Sequence, residues 1–216
     1  NRYVGSIVGL LAASNDGTVK NNNARVENCI NNGKIKLTLN SYTGGWFFAG
    51  GIVGSYYEYK TFGEGGLFNC VNNGNLEVNV GTIDNKSAVG GLIGGAGALE
   101  KAAAFCTIKD CVNNGAVTYN ITTVNNNSYI GGIAGIYWQH ISAGAGGFFN
   151  CINNGDVQVD INTNGKVSAI GGIVGAAGKV YPNPGSNKIC YLTIENCINN
   201  GDISYRCDTK NDQFYL

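Results

Sequence analysis

Eight cysteines, a single histidine and three aspartates on one strand face are the side chains of this 216-residue chain that could carry chemistry. Five of the cysteines, Cys29, Cys70, Cys111, Cys151 and Cys197, recur at intervals of 41, 41, 40 and 46 residues. Thiols at so regular a spacing could form a metal ladder or a set of disulfides. The chain has no Cys-x-x-Cys, and its close pairs, Cys106/Cys111 and Cys190/Cys197, are spaced poorly for zinc. Cysteines stacked on successive rungs of a sheet have parallel Cβ vectors, which fit the disulfide dihedral badly. The expectation is a ladder of buried thiols acting as small hydrophobes, with no metal and no cofactor. A Cys106–Cys190 bridge would require the variable loops of alternate repeats to meet.

His140, in Tyr137-Trp138-Gln139-His140, could serve a Ser-His-Asp or Cys-His machine, but no Gly-x-Ser-x-Gly elbow occurs and His140 lies in an insertion. Polysaccharide enzymes work with clustered carboxylates. Asp156, Asp160 and Asp202 are the candidates, and they fall on the solvated side of an alternating pattern, where charge is expected anyway. Calcium would relieve the repulsion of Asp156 and Asp202, yet the Asp-x-Asp-x-Asp-Gly loop is missing. Aromatic segments are the stronger lead. Trp46-Phe47-Phe48, Tyr56-Tyr57-Glu58-Tyr59 and Tyr137-Trp138-Gln139-His140 belong to alternate repeats. Trp46, Tyr57, Tyr59, Trp138 and His140 are the candidate binding residues, for sugar stacking or protein contact. Tyr56 and Tyr137 are expected to pack instead.

The elements that must position these residues are repeats. Asn28-Cys29-Ile30-Asn31-Asn32-Gly33 returns at 69–74, 110–115, 150–155 and 196–201, with Asp110 for Asn and Val71 and Val112 for Ile. Between these copies stands a second phrase, Gly50-Gly51-Ile52-Val53-Gly54, repeated at 90–94, 131–135 and 171–175 and degenerate at 5–9. The repeats run approximately 1–27, 28–68, 69–109, 110–149 and 150–195, with 196–216 partial, in one domain. After each Asn-Asn-Gly comes strict alternation, as in Ile35, Leu37 and Leu39 against Lys34, Lys36 and Thr38, the mark of a half-buried strand. The Asn-Asn-Gly is read as a corner that tolerates positive φ. The glycine phrase, apolar or tiny on both faces, reads as one strand buried on both sides. Insertions fall between the glycine phrase and the next cysteine. Ala98–Ala104 has helix composition there, and the rest reads as loops.

A second period of about 81 residues lies beneath: Gly63–Cys70 matches Gly144–Cys151, whereas Thr107–Cys111 matches Thr193–Cys197. Tyr56, Ala96, Tyr137 and Ala177 alternate large and small at one position, so neighbouring repeats are expected to interlock there. Units of about 40 residues cannot bury their own apolar face and must stack. The expected fold is an all-β repeat protein, a β-solenoid with in-register ladders. Stacked β-hairpins forming a sandwich or prism are the alternative. In the ladder Lys36 would sit beside Glu77, Asp160 beside Arg206, and Asp156 beside Asp202 as a like-charge clash.

Composition narrows the function. Fourteen Lys and Arg balance fourteen Asp and Glu, with no basic cluster, which disfavours nucleic-acid or anionic-membrane binding. No apolar run reaches the ~18–20 residues of a membrane span. The absence of methionine and the start at Asn1 suggest a processed chain that has lost a signal peptide.

Gly90-Gly91-Leu92-Ile93-Gly94 and its sisters, joined to the Asn-Cys-x-Asn-x-Gly phrase, resemble the GLUG-motif family. The resemblance covers nearly the whole chain, in four clear copies and one degraded copy. Such repeats occur in surface proteins of Bacteroides-like gut bacteria, in streptococcal immunoglobulin A peptidases and near filamentous-haemagglutinin-like domains. The resemblance implies a secreted or cell-surface, adhesin-like module. It carries over no catalytic residue, and the peptidase signature His-Glu-x-x-His is absent. The expected function is non-catalytic: binding a glycan or a host or bacterial surface protein, or serving as a stalk beside neighbouring repeats of a longer chain. A β-helical carbohydrate-active enzyme is the alternative.

Overall fold

The computed structural model describes residues 1–12, 24–57, 65–97, 106–138, 146–164, 168–178, 192–208 and 214–215. It is a β-solenoid. Among these residues every strand pairing is parallel, and the strands build one six-stranded and four five-stranded sheets. Each coil passes once through all five sheets.

Taking the coil that begins at Cys70, a two-residue apex strand, Val71–Asn72, leads into a long strand, Leu76–Ile83. A first inner strand, Ser87–Gly90, and a second, Ile93–Gly97, follow, and a back strand, Cys106–Lys109, closes the coil. The long strand alternates as its sequence demands, with Leu76, Val78 and Val80 buried and Glu77 and Asn79 half-exposed. It is also longer than the alternation suggested, running eight residues and carrying on through Ile83.

The glycine phrase is not one strand. It is a sharp arch between the two inner strands, broken at Gly91-Leu92 and its equivalents. The arch forms a tongue inside the coil. Its first strand packs on the long sheet through Phe47, Ala49, Val89 and Ile130. Its second packs on the back sheet through Val53, Ile93, Leu67 and Ile108. The two inner sheets nearly touch, because the last glycine of each phrase leaves no room between them. A Cβ on Gly94 would lie 2.6 Å from the Ala49 nitrogen and the Gly54 oxygen, both in the preceding coil. Ordinary stacked sheets stand ~10 Å apart, so only glycine permits this approach.

The tip of the tongue presses against the apex. A Cβ on Gly51 would sit 2.6 Å from Asn72 Nδ2. Asn72 belongs to a buried amide ladder in which Asn31, Asn72, Asn113 and Asn153 each donate from Nδ2 to Oδ1 of the next rung, at 2.7–2.8 Å. Each Nδ2 also donates to the carbonyl of the glycine two residues on, and the Asn72 Oδ1 accepts that glycine's N–H at 3.3 Å. Every hydrogen and lone pair of the amide is thereby used. The positive φ expected within Asn-Asn-Gly lies instead one residue before each cysteine, at Asn28, Asn69, Asp110, Asn150 and Asn196 (φ 50–56°). The corner glycine is needed for stacking, since a Cβ on Gly74 would strike the Gly33 carbonyl.

The 81-residue period has a simple cause. Tyr56 and Tyr137, both fully buried, reach across their own coil to Gly65 and Gly146, where any Cβ would meet the tyrosine hydroxyl. Coils with alanine at the tyrosine position carry Cys106 or Leu192 in place of those glycines. Large and small side chains thus compensate mainly within a coil. Neighbouring coils interlock at Tyr137, whose Oη donates 2.7 Å to the Cys106 carbonyl of the preceding coil. The segment 98–104, read as a short helix, lies outside the described residues.

Hydrogen exchange tests the stack: strands Val117–Val124 and Val157–Asn164 should be most protected and the end strands least. Uniform protection from end to end would contradict it. Asn113→Ala should cost about 3 kcal/mol or more in chemical denaturation, because it leaves groups on Asn72, Asn153 and Gly115 unsatisfied. The exposed Asn114→Ala should cost less than about 1 kcal/mol.

Candidate functional site

The inward cysteines form the expected ladder. Cys29, Cys70, Cys111, Cys151 and Cys197 are free thiols, the middle three fully buried. Each donates to the carbonyl two residues earlier at 3.1–3.4 Å, across the residue of positive φ. Burial pushes the Cys151 thiol up to about 12. The neighbouring Cys70 sulfur and burial together push Cys111 upward as well. Among the described residues no group of three or more His, Cys, Asp or Glu is arranged to hold a metal ion. The proposed Cys106–Cys190 bridge falls on Cys190, outside the described residues.

The aromatic candidates resolve into packing where they are described. Trp46, half-buried, fills the space over Ala88 and lies between Phe48 and Tyr129, with centroids 5.4 and 6.3 Å away and planes within 5° and 17°. Tyr3 continues the stack beyond Phe48 at 5.5 Å. Trp138 tilts against Trp46 at 4.9 Å and is only 5% exposed. Trp46 and Trp138 therefore close the open end of the tongue, and Lys86 Nζ caps the Trp46 ring at 5.1 Å. Tyr59, His140 and the side chain of Tyr57 lie outside the described residues.

Asp156 and Asp202 stand on adjacent rungs, and Asp160 stands apart from both. Lys36 pairs with Glu77 at 2.9 Å and Arg206 with Asp160 at 3.5 Å, both as register demands. The Asp156–Asp202 clash is softened, because Asp156 Oδ1 accepts the Asp202 backbone N–H at 2.9 Å. Asp160 stands four residues along the strand from Asp156, ~13 Å at the rise of an extended chain. That exceeds the ~5–9.5 Å between paired carboxylates in glycosidases. Asp160 instead lines a shallow groove of about 360 Å³ on the outer face of the long sheet, with Thr38, Asn79, Asn120 and Asn162. Its amides are already engaged with one another, Asn120 donating to Asn79 and Asn79 to Glu77.

A different face carries half-exposed aromatic rings, beside amides that are themselves laddered, Asn150 donating to Asp110 and Asn196 to Asn150. On the outside of the back sheet, Glu27, Phe68, Lys109, Phe149 and Glu195 form one column, one residue per rung. Phe68 and Phe149 are half-exposed, on rungs two apart, ~10 Å at the spacing of hydrogen-bonded strands. Beside them Gly66 (φ 137°) and Gly147 (φ 151°) present no side chain. A groove of about 520 Å³ opens along Phe68, Lys109, Phe149, Asn150, Glu195 and Asn196. Arg25 stacks over Phe68 at 4.6 Å, so the ring already accepts a flat group on one face. Aromatic rings flanked by exposed amides, an ammonium and a carboxylate can hold a ligand with apolar C–H faces and polar edges. Sequence reasoning passed over both phenylalanines. Their signal was present in the alternation of Gly-Gly-Leu-Phe and Gly-Gly-Phe-Phe with Thr-Ile-Lys and Thr-Ile-Glu, but it was read only as packing.

Thiol labelling followed site by site by mass spectrometry checks the buried ladder. At pH 8 a thiol whose pKa lies well above 8 stays protonated, so Cys111 and Cys151 should resist labelling until the chain unfolds, while Cys29 and Cys197 label first. Rapid native labelling of Cys151 would overturn this account. Comparison with family models, with curated proteins and with solved structures finds no match for the chain.

Proposed function

We propose that the chain is a non-catalytic, secreted or cell-surface module that binds an extended glycan along the outer face of its back sheet. The carrying observation is the pair of half-exposed rings, Phe68 and Phe149, aligned along the stack with Lys109 between them and amides beside them. A sugar ring has C–H faces that pack on aromatic carbon and hydroxyls that take amide, ammonium and carboxylate partners. A chain of such rings laid along the solenoid axis meets one platform in every second coil. The resemblance to GLUG-motif repeats supports the extracellular setting. A spacer role is the second reading. It rests on the unbroken amide and thiol ladders, which make the stack a stiff rod.

A glycan array separates the readings. The unaltered chain should retain an extended polysaccharide, and a Phe68→Ala/Phe149→Ala variant should bind at least about tenfold more weakly with unchanged circular dichroism. Undiminished binding by that variant would reject the back-sheet site. Absence of any retained glycan would leave the spacer reading, and release of new sugar ends would favour an enzyme.

A further inference from the structure

Every apex corner contains an Asn-Gly pair, and the three in the middle of the stack are Asn73-Gly74, Asn114-Gly115 and Asn154-Gly155. Asparagine followed by glycine is chemically labile in an open chain. The glycine nitrogen gives its proton to water or hydroxide and attacks the asparagine Cγ. The Cγ–Nδ2 bond breaks and ammonia leaves. Water then opens the resulting cyclic imide at either carbonyl, giving aspartate or isoaspartate, the latter with an extra backbone methylene. Glycine favours the attack because it carries no Cβ and reaches backbone angles that other residues avoid.

In the stack both reacting groups are held. Asn73 Nδ2 donates to Asn32 Oδ1 and its Oδ1 accepts from Asn114 Nδ2, both at 2.8 Å. Its backbone N–H donates 2.7 Å to the Asn31 carbonyl. The nitrogen that would attack, that of Gly74, donates 3.3 Å to Asn72 Oδ1. The corner backbone has no room to turn, since Gly74 lies against the Gly33 carbonyl. Asn114 and Asn154 are fixed by the same ladder, each through both side-chain atoms and its backbone N–H. To bring Cγ onto the glycine nitrogen, the side chain must give up both ladder bonds at once.

We propose that the Asn-Gly corners are latent self-modification sites, kept silent by the outer amide ladder and released rung by rung when it breaks. The hydrogen bonds set the direction. Each amide donates to the preceding coil and accepts from the following one. An aspartate formed at position 114 still accepts from Asn154, but it has no hydrogen for Asn73 and sets a carboxylate against the Asn73 oxygen. The corner before it is loosened while the corner after it stays held, so modification spreads toward the N-terminal coils. A chain that has once come unstacked keeps the record, because the new carboxylate or methylene persists after refolding.

Peptide mapping by mass spectrometry, scoring aspartate and isoaspartate at each corner, tests this on the full chain held at pH 8 in buffer and in concentrated guanidinium. Asn73, Asn114 and Asn154 should convert at least about 100-fold more slowly when folded, in proportion to the population of the open form. In folded chains of unchanged circular dichroism, Asn114→Asp should speed conversion of Asn73 about threefold or more and leave Asn154 silent, the loss of one hydrogen bond. Asn114→Ala should speed both, because it removes donor and acceptor together. Equal rates in the folded and unfolded chain, or equal conversion of Asn73 and Asn154 in the Asn114→Asp chain, overturns the proposal. No corner residue lines the back-sheet groove, so neither result bears on glycan binding.

Discussion

A buried primary amide whose four hydrogen-bonding positions are filled by identical amides above and below and by the backbone of the glycine two residues on sets the terms for this fold. Asn72, Asn113 and Asn153 have no exposed surface. An unsatisfied polar group there would cost more than its bond returns, so each coil must supply the same residue at the same height. The tongue must then stop short of the ladder, which is why Gly51, Gly91, Gly132 and Gly172 tolerate no Cβ beside Asn72, Asn113, Asn153 and Asn199. The corner beneath must let successive coils approach closely, which Gly74, Gly115 and Gly155 allow. Two of the three conspicuous repeated residues thus follow from the first.

Because the tongue fills the coil, the interior is three thin packed layers without a lumen. Long sheet meets first inner sheet, first inner meets second, and second meets back sheet. Layers this thin cannot absorb an extra ring by shifting. The volume of Tyr56 or Tyr137 is therefore taken from the opposite strand of the same coil, at Gly65 or Gly146. A buried hydroxyl cluster shows the same economy. Tyr119, facing the first inner sheet, bonds to Ser87 and Ser128 at 2.7 and 3.2 Å. Burial pushes the phenol up to about 12, so it stays neutral.

The proposed binding face lies on columns that interior packing leaves free. Much of the outer face of the long sheet is taken up by its own ion pairs and amides. The mouth of the tongue is plugged by Trp46 and Trp138. The back sheet alternates charge with phenylalanine on its outer column and glycine with threonine beside it. Packing of the interior does not call for those outward rings.

The repeat made much of this legible from the chain alone. Equal spacing along the chain becomes stacking in space, so the sequence determined which residues share a column: the cysteines, the asparagines, Lys36 with Glu77 and Asp160 with Arg206. Alternation likewise determined the inward face of the long strand, because one side meets apolar layers and the other meets water. Where residues on both faces are apolar or glycine, alternation carries no such information. Only the tertiary structure decided that the glycine phrase bends into an arch, that a back strand runs through Gly65–Phe68 and its equivalents, that positive φ sits before the cysteine, and that Trp138 faces inward while Phe68 faces out. Those choices depend on which layer lies opposite each strand, a relation between residues far apart within one coil that a period along the chain does not encode.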